Sequence, residues 1–402
     1  MGSVIDFEAL GRLIEIPEAA RRLLSGPEKE IHFALSLKTG ERGLIVCDCY
    51  VVYHCTARGP AKGGVRMSAG ATLDETRRLA ELMSLKTALA GLPFGGGKSC
   101  LSIDPSRLTR FEKTAVIKEY VHILRLELEH GNYVPAPDLG TGPTDMAVIF
   151  GETHIPESVT AKPPRVGGLP GRLEATGRSV SKAALLALDR LLGKPVAGAR
   201  AAVQGYGNVG SHTAMFMSEA GAKVVAASDL TGGIHNPRGL DVRALADHVR
   251  RKGTVSTFPG GEQIGNDELL ALDVDVLLPC AREDVLTGQN ARDVRAALVV
   301  EGANGPTTPE AEAILSDKGV PVVPDILANA GGVIASYVEW RNAKSGALTT
   351  KEETFELVDE RIGKAFDEML RTSGDKGCSL RMASFAIAVE ELVQSMRDRE
   401  WI

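Results

Sequence analysis

The run Gly205-Tyr206-Gly207-Asn208-Val209-Gly210 decides the fold. A G-x-G-x-x-G run alone is a weak signal, because glycine-rich loops are common; its surroundings make it specific. Residues 201–204 read as a short strand before it, 211–220 as a helix after it, and 223–228 as a second strand ending at Asp229, 19 residues beyond Gly210. In such a unit Gly205 and Gly207 permit the tight turn and the close approach of a pyrophosphate, and Gly210 lets helix and strand pack. The free N–H groups of the helix N-terminus then face the phosphates, beside Asn208 and Val209. Asp229 is positioned to accept hydrogen bonds from ribose hydroxyls and would repel a 2′-phosphate. The expected coenzyme is NAD, with NADP possible: Leu230-Thr231-Gly232-Gly233 carries no cation, and Arg238 or His235 would have to fold back to supply one.

Beyond residue 176 the pattern is regular. Runs at 201–204, 223–228, 274–279, 298–301 and 320–323 are nearly continuous in apolar residues and alternate with helical stretches. Strands buried on both faces read this way, which predicts a doubly wound, mainly parallel sheet. The first half is mixed, with a helix over 6–24, two strands over 31–37 and 44–54 about the turn Lys38-Thr39-Gly40, and a long helix over 110–130. Thr72-Leu73-Asp74-Glu75 has the capping-box form and opens a helix ending near residue 90, before Gly91 and Pro93. Pro, Gly, Lys and Arg concentrate over 156–171, which reads as an interdomain hinge. A last helix over 381–397 puts Met382, Phe385, Ala386, Val389, Leu392, Val393 and Met396 on one stripe. The expected architecture is α/β. An N-terminal catalytic and oligomerisation domain spans 1–170, a Rossmann-type dinucleotide domain spans 171–375, and 376–402 returns to the first.

Composition narrows the functional class. The 402 residues suit two or three domains, and 46 basic against 52 acidic residues give a net charge of −6. No basic block suggests nucleic acid as a partner. The stretch MGSVIDFEALGRL has Asp6 and Glu8 where a secretion signal would have cations, and no apolar run nears the ~20 residues that span a bilayer. A soluble cytoplasmic protein with no membrane partner is expected. Six cysteines (Cys47, Cys49, Cys55, Cys100, Cys280, Cys378) form no disulfide framework. The C-x-C at Cys47 and Cys49 lacks a matching second pair, so buried free thiols are expected and no metal.

Three lysines stand in unusual places. Gly91-Leu92-Pro93-Phe94-Gly95-Gly96-Gly97-Lys98-Ser99 fails as a phosphate-binding P-loop: Leu92 occupies the first glycine position, and a short strand follows Ser99 where a helix should begin. Lys98 must have another use. Lys62 lies among the glycines of Gly59-Pro60-Ala61-Lys62-Gly63-Gly64-Val65-Arg66, and Lys86 falls on the helix face shared by Leu79, Met83 and Ala90. Pro135-Ala136-Pro137-Asp138-Leu139-Gly140 sets a carboxylate in a tightly turned segment.

With AKGGVR, LMSLKTAL, LPFGGGKS, VPAPDLGTG, GRLEATGRSV, VQGYGNVG, EGANGPTTPEA and DILANAGGVIASYVEW in order, the chain closely resembles the glutamate/leucine/phenylalanine/valine dehydrogenases from about residue 40 to 345. It looks most like the glutamate branch. The resemblance implies reversible oxidative deamination of L-glutamate to 2-oxoglutarate and ammonium with NAD(P), by a homo-oligomer, most often a hexamer. It implies that Lys98 and Asp138 are catalytic and that Lys86 binds the substrate α-carboxylate. Lys62 and Ser336 would hold the side-chain carboxylate, with Gly63, Ala136 and Val333 lining the substrate. Thr176, Asn304 and Asn329 join the 205–210 loop and Asp229 around the coenzyme.

The chemistry suits these residue types. Removing hydride from Cα leaves an iminium that water must attack, which calls for a water activator and a proton acceptor. A lysine among other cations is more easily neutral near working pH, the role expected of Lys98 beside Lys86 and Lys62. Asp138 can take the ammonium proton. Substrate is expected in the interdomain cleft, closed before hydride transfer. This chain has Gly167-Gly168-Leu169-Pro170 where the family usually has GGS, and Ser179 where TGRG ends in glycine. Met67 stands where glutamate enzymes carry an aromatic, so substrate identity rests chiefly on Lys62 and Ser336. The alternatives are a branched-chain or other apolar amino-acid dehydrogenase, in which a charged Lys62 would be costly, and a catalytically silent NAD-binding regulatory paralogue.

Overall fold

Two separate sheets organise the chain in the computed structural model, which describes residues 4–40 and 43–402, the side chain of Thr39 excepted. The first three residues of the stretch read for a leader, and residues 41–42 beside the expected 38–40 turn, lie outside the described residues.

The first sheet contains β1 (Lys29–Thr39), β2 (Gly43–Cys55), β3 (Ala61–Met67), β4 (Gly95–Leu101) and β5 (Tyr133–Pro137), in the order β1-β2-β4-β3-β5. The pairs β1/β2 and β2/β4 are antiparallel, whereas β3 runs parallel to both β4 and β5. Parallel neighbours require a crossover, supplied between β3 and β4 by the helix Leu73–Leu89. Leu35, Val51, Tyr53, Leu101, Val116, Ile117, Tyr120 and Tyr133 share one buried core. Along β2, Ile45, Cys47 and Cys49 turn inward while Leu44, Val46 and Asp48 are exposed, the two-residue period of a strand with one buried face.

The second sheet contains β6 (Arg200–Gln204), β7 (Lys223–Asp229), β8 (Gly232–His235), β9 (Glu262–Ile264), β10 (Val276–Pro279), β11 (Val299–Val300) and β12 (Val322–Val323), in the order β12-β11-β10-β6-β7-β8-β9. The chain steps outward from β6 to β7, then returns past β6 to β10 and proceeds the other way. This is double winding, and the switch lies between β6 and β10. All pairs from β12 to β7 are parallel; β8 and β9 add antiparallel strands at one edge. Those two edge strands carry no apolar run and were not expected.

Two helical expectations need correction. The helix expected over 6–24 is two helices, Phe7–Gly11 and Glu18–Leu24, because Pro17 supplies no N–H to continue the first and sits at the N-cap of the second. The helix expected over 110–130 breaks at Leu124 into Arg110–Ile123 and Arg125–Glu129.

The chain divides into two compact units. One comprises Met1–Arg172, Val333–Thr354 and Phe385–Ile402; the other comprises Leu173–Gly332 and Phe355–Ser384. The segment 333–354 thus groups with the first unit and 376–384 with the second, unlike the boundaries expected from sequence. Local packing explains the former: Phe94 meets Tyr337 and Trp340 edge-on, and Glu339 accepts from the backbone N–H groups of Ala161 and Lys162. The helix Leu380–Asp398 buries Phe385, Ala386, Val389, Leu392, Val393 and Met396.

Candidate active site

In the first unit, sheet register brings the separated motifs together. Lys62 on β3 pairs with Gly96 on β4 and Val134 on β5; Lys98 lies two residues further along β4, and Asp138 follows the end of β5. Gly96 is required for this layout. A Cβ there would collide with Ser84 and the Ala80 carbonyl, so glycine lets the helix carrying Lys86 press onto β4. Lys62, Lys86, Lys98 and Ser336 are all buried, as are Gly63, Ala136 and Val333.

Lys98 Nζ donates to Asp138 Oδ2 at 2.6 Å, and Arg66 Nε donates to Asp138 Oδ1 at 2.8 Å. Burial opposes ionisation of Asp138, but the two cations outweigh it and hold the carboxyl well below the usual carboxylate range.

The distal end of the site is a cluster of cations. The Lys62 side chain is buried, with the residue 1% exposed, and the one carboxylate that acts on it is Glu339. Burial, reinforced by Arg172, Lys162 and Lys98, pushes its pKa well below the ordinary lysine value; Glu339 opposes this only in part. Glu339 is already committed to Lys162 Nζ at 2.8 Å and to two backbone N–H groups. Arg172 Nε donates to Ser336 Oγ at 3.1 Å. Arg172 was not singled out from sequence, although it lies in the quoted GRLEATG; its partner is 164 residues away.

The second unit carries the expected dinucleotide motif. Gly205 has φ +92°, and a Cβ there would strike Ala281 just past β10, at the switch between β6 and β10. The helix Asn208–Glu219 begins without a side-chain cap, which leaves its N–H groups available, and nothing lies within 4 Å of a Cβ added at Gly207. This open, uncapped cradle fits a pyrophosphate.

The remaining coenzyme candidates have defined partners. Asp229 Oδ1 accepts from Thr231 N at 2.8 Å and Oδ2 from Val255 N at 2.6 Å, which fixes its carboxylate at the end of β7. Asn208 donates to the Leu173 carbonyl. Asn329 donates to Asn304 Oδ1 at 2.9 Å and to the Gly302 and Ala303 carbonyls, so it shapes the 302–304 loop. The Thr176 carbonyl accepts from Ser179 Oγ, and Ser179 in turn accepts from Gly331 N at 2.9 Å. The hydroxyl that replaces the family's glycine therefore ties the helix Ala175–Arg190 to Gly331. Arg381 gathers Glu301, Glu312 and Asp325, while Asp325 accepts from Gly305 N; this support of the same loop was also missed from sequence.

Family models match both parts of the chain: residues 167–400 match "Glutamate/Leucine/Phenylalanine/Valine dehydrogenase" and residues 27–155 match "Glu/Leu/Phe/Val dehydrogenase, dimerisation domain". The chain belongs to this dehydrogenase family. Among relatives of this Glu/Leu/Phe/Val dehydrogenase, a glutamate dehydrogenase of Thermotoga maritima is 40% identical over 99% of this chain and 97% of its own. An NADP-specific glutamate dehydrogenase of Saccharolobus shibatae is 38% identical over 97% of this chain and 94% of its own. The crystal structure of a hetero-hexameric glutamate dehydrogenase from Thermus thermophilus, Leu-bound form, superposes with a TM-score of 0.92 at 34% identity, covering 98% of this chain and 95% of the other.

Among the described residues no helix is long and apolar enough to cross a membrane, and no group of His, Cys, Asp and Glu is arranged to hold a metal ion. The six cysteines are free; Cys378 is half-buried and the other five are buried.

Proposed function

We propose that this protein is an NAD(P)-dependent glutamate dehydrogenase that converts L-glutamate and water reversibly to 2-oxoglutarate and ammonium. The carrying observation is the buried Lys62, set among the cations Arg172, Lys162 and Lys98, whose one carboxylate neighbour, Glu339, is already paired with Lys162; Arg172 in turn holds Ser336. A dicarboxylate supplies a further anion; an apolar side chain would leave the charge uncompensated.

Lys62, Arg172 and Ser336 receive the distal carboxylate, and Lys86 receives the α-carboxylate. Gly63, Ala136 and Val333 line the carbon chain. Asp138, held ionised, takes the proton from the substrate ammonium. Bound NAD(P) supplies the acceptor for the Cα hydride. Lys98 then activates the water that attacks the resulting iminium, and its 2.6 Å contact with Asp138 gives the transferred protons a path. In the second unit Gly205, Gly207, Asn208, Val209 and Gly210 cradle the pyrophosphate, with Thr176, Asn304 and Asn329 on the nicotinamide side.

NAD is the preferred coenzyme, because Asp229 presents a fixed negative charge where a 2′-phosphate would lie. The assembly is a homohexamer built through the first unit; the exposed Leu44 and Val46 on β2 support an interface there, and the Thermus thermophilus relative, itself hetero-hexameric, supports the number six. The activity is cytoplasmic. Ammonium-dependent oxidation of reduced coenzyme with 2-oxoglutarate, compared with 4-methyl-2-oxopentanoate, tests the substrate assignment.

A further inference from the structure

Asp138 is held at three points. Its backbone N–H donates to Thr141 Oγ1 at 3.0 Å, and that hydroxyl donates to the Val65 carbonyl at 2.7 Å, which pins the residue to β3. Lys98, from β4, takes Oδ2, while Arg66, from β3, takes Oδ1. The two cations are not equivalent. Lys98 is the group assigned to proton exchange under the proposed function, whereas Arg66 keeps its charge throughout.

Arg66 is itself fixed. Its Nη1 donates to Glu75 Oε1 while Nε serves Asp138, so the planar guanidinium bridges two carboxylates. Glu75 contributes here at a local cost. The motif Thr72-Leu73-Asp74-Glu75 predicts a reciprocal capping box, yet only half forms: Thr72 Oγ1 accepts from Glu75 N at 3.2 Å, while the Glu75 carboxylate goes to Arg66. All three side chains are mostly buried, with Arg66 17%, Asp138 18% and Glu75 25% exposed. Gly64 makes room for this seat, since a Cβ there would meet the Asp138 side chain.

We propose that Arg66 is a positioning residue that grips one oxygen of Asp138, so that the other is presented for proton exchange, and that Glu75 holds Arg66 in the orientation this requires. The proposal rests on Asp138 being the proton acceptor. The charged and titratable groups facing it are Lys98 from β4, Arg66 from β3 and, behind Arg66, Glu75 from the helix Leu73–Leu89; the Cys100 thiol on β4 lies near the same charges. Removing Arg66 deprives Asp138 of a cation, so its pKa rises and the base form is lost at higher pH.

The test is the pH dependence of kcat and kcat/KM for glutamate oxidation by Arg66→Gln, Arg66→Lys, Glu75→Ala and Asp138→Asn, with coenzyme affinity and melting temperature measured in parallel. Arg66→Gln is expected to lower kcat about 10- to 100-fold, as expected for a misplaced reacting group, and to move the acid limb up by about one pH unit or more. Arg66→Lys keeps the charge and loses the fork, so its acid limb stays near wild type while kcat falls. Glu75→Ala unties a charged Arg66 and lowers kcat with little movement of the limb. Should Arg66→Gln fail to fold, the other two Arg66 and Glu75 variants decide. Wild-type kcat and an unmoved limb in the Arg66 and Glu75 variants, with Asp138→Asn inactive, would overturn this proposal alone. An active Asp138→Asn would overturn the underlying mechanism instead.

Discussion

Lys98 Nζ stands 2.6 Å from Oδ2 of Asp138, although 40 residues separate the two in sequence and they approach from β4 and from the turn after β5. The pair unites a nucleophile-activating group with a proton acceptor at one point, which is the minimum equipment for hydrolysing an iminium. Replacing Lys98 with Ala is expected to lower kcat by about 10²–10⁴-fold, the usual span for losing a general acid–base. Coenzyme binding, measured by fluorescence titration, should stay near wild type because the dinucleotide motif lies in the other unit. A near-normal kcat would remove Lys98 from the mechanism.

Lys62 offers a sharper physical test because it trades stability for selectivity. Lys62→Leu removes a buried charge that has only cations and one committed carboxylate for company. It should raise the KM for glutamate and improve turnover of apolar amino acids. In the absence of ligand it should also raise Tm by about 2–4 °C, the response to ~1 kcal/mol in a unit of about 200 residues. The pH sense follows from linkage: the folded-state pKa of Lys62 is below the unfolded value, so its cost to stability is full below the folded pKa and is relieved as pH rises from there towards about 10.4. The variant's advantage must therefore shrink as pH approaches that value. A lower Tm for Lys62→Leu, or an advantage that grows with pH, would contradict the reading.

Much of this arrangement was legible in the sequence. The turn at Gly205, its flanking strands and the lysines set among glycines are local patterns, because strand, turn and close approach each demand particular residues at short spacing. Contacts across long sequence separations were not legible. Arg172 finds Ser336, Glu339 finds Lys162, and Arg381 gathers Glu301, Glu312 and Asp325 only once the chain has folded. Glu75 shows a local rule yielding to a tertiary partner, as its carboxylate leaves the expected N-cap bond for Arg66. Pro17 is the reverse case: the break in the helix expected over 6–24 was present in the sequence as a residue without an N–H.

Arg381 binds all three carboxylates, Glu301, Glu312 and Asp325, so its loss should be felt through the loop that carries Asn304. Arg381→Met is expected to destabilise the protein by about 3–5 kcal/mol, the range for breaking a buried ion pair from one side. Denaturant unfolding measures this, and a change under 1 kcal/mol would show that the cluster is relieved by proton uptake.

Coenzyme choice tests Asp229. Asp229→Ser removes the fixed charge beside the ribose and should narrow the ratio of kcat/KM for NAD over NADP by about tenfold or more, one pair of like charges being worth at least ~1.4 kcal/mol at close range. An unchanged ratio would place the discrimination elsewhere.

The most direct test of the central claim is steady-state oxidation of reduced coenzyme in the presence of ammonium, with 2-oxoglutarate and 4-methyl-2-oxopentanoate compared on the same purified enzyme. The expected kcat/KM for 2-oxoglutarate is the larger by about 10²-fold or more, since the branched acid leaves Lys62 and Arg172 without their anion. Equal or faster turnover of the branched acid would contradict the claim.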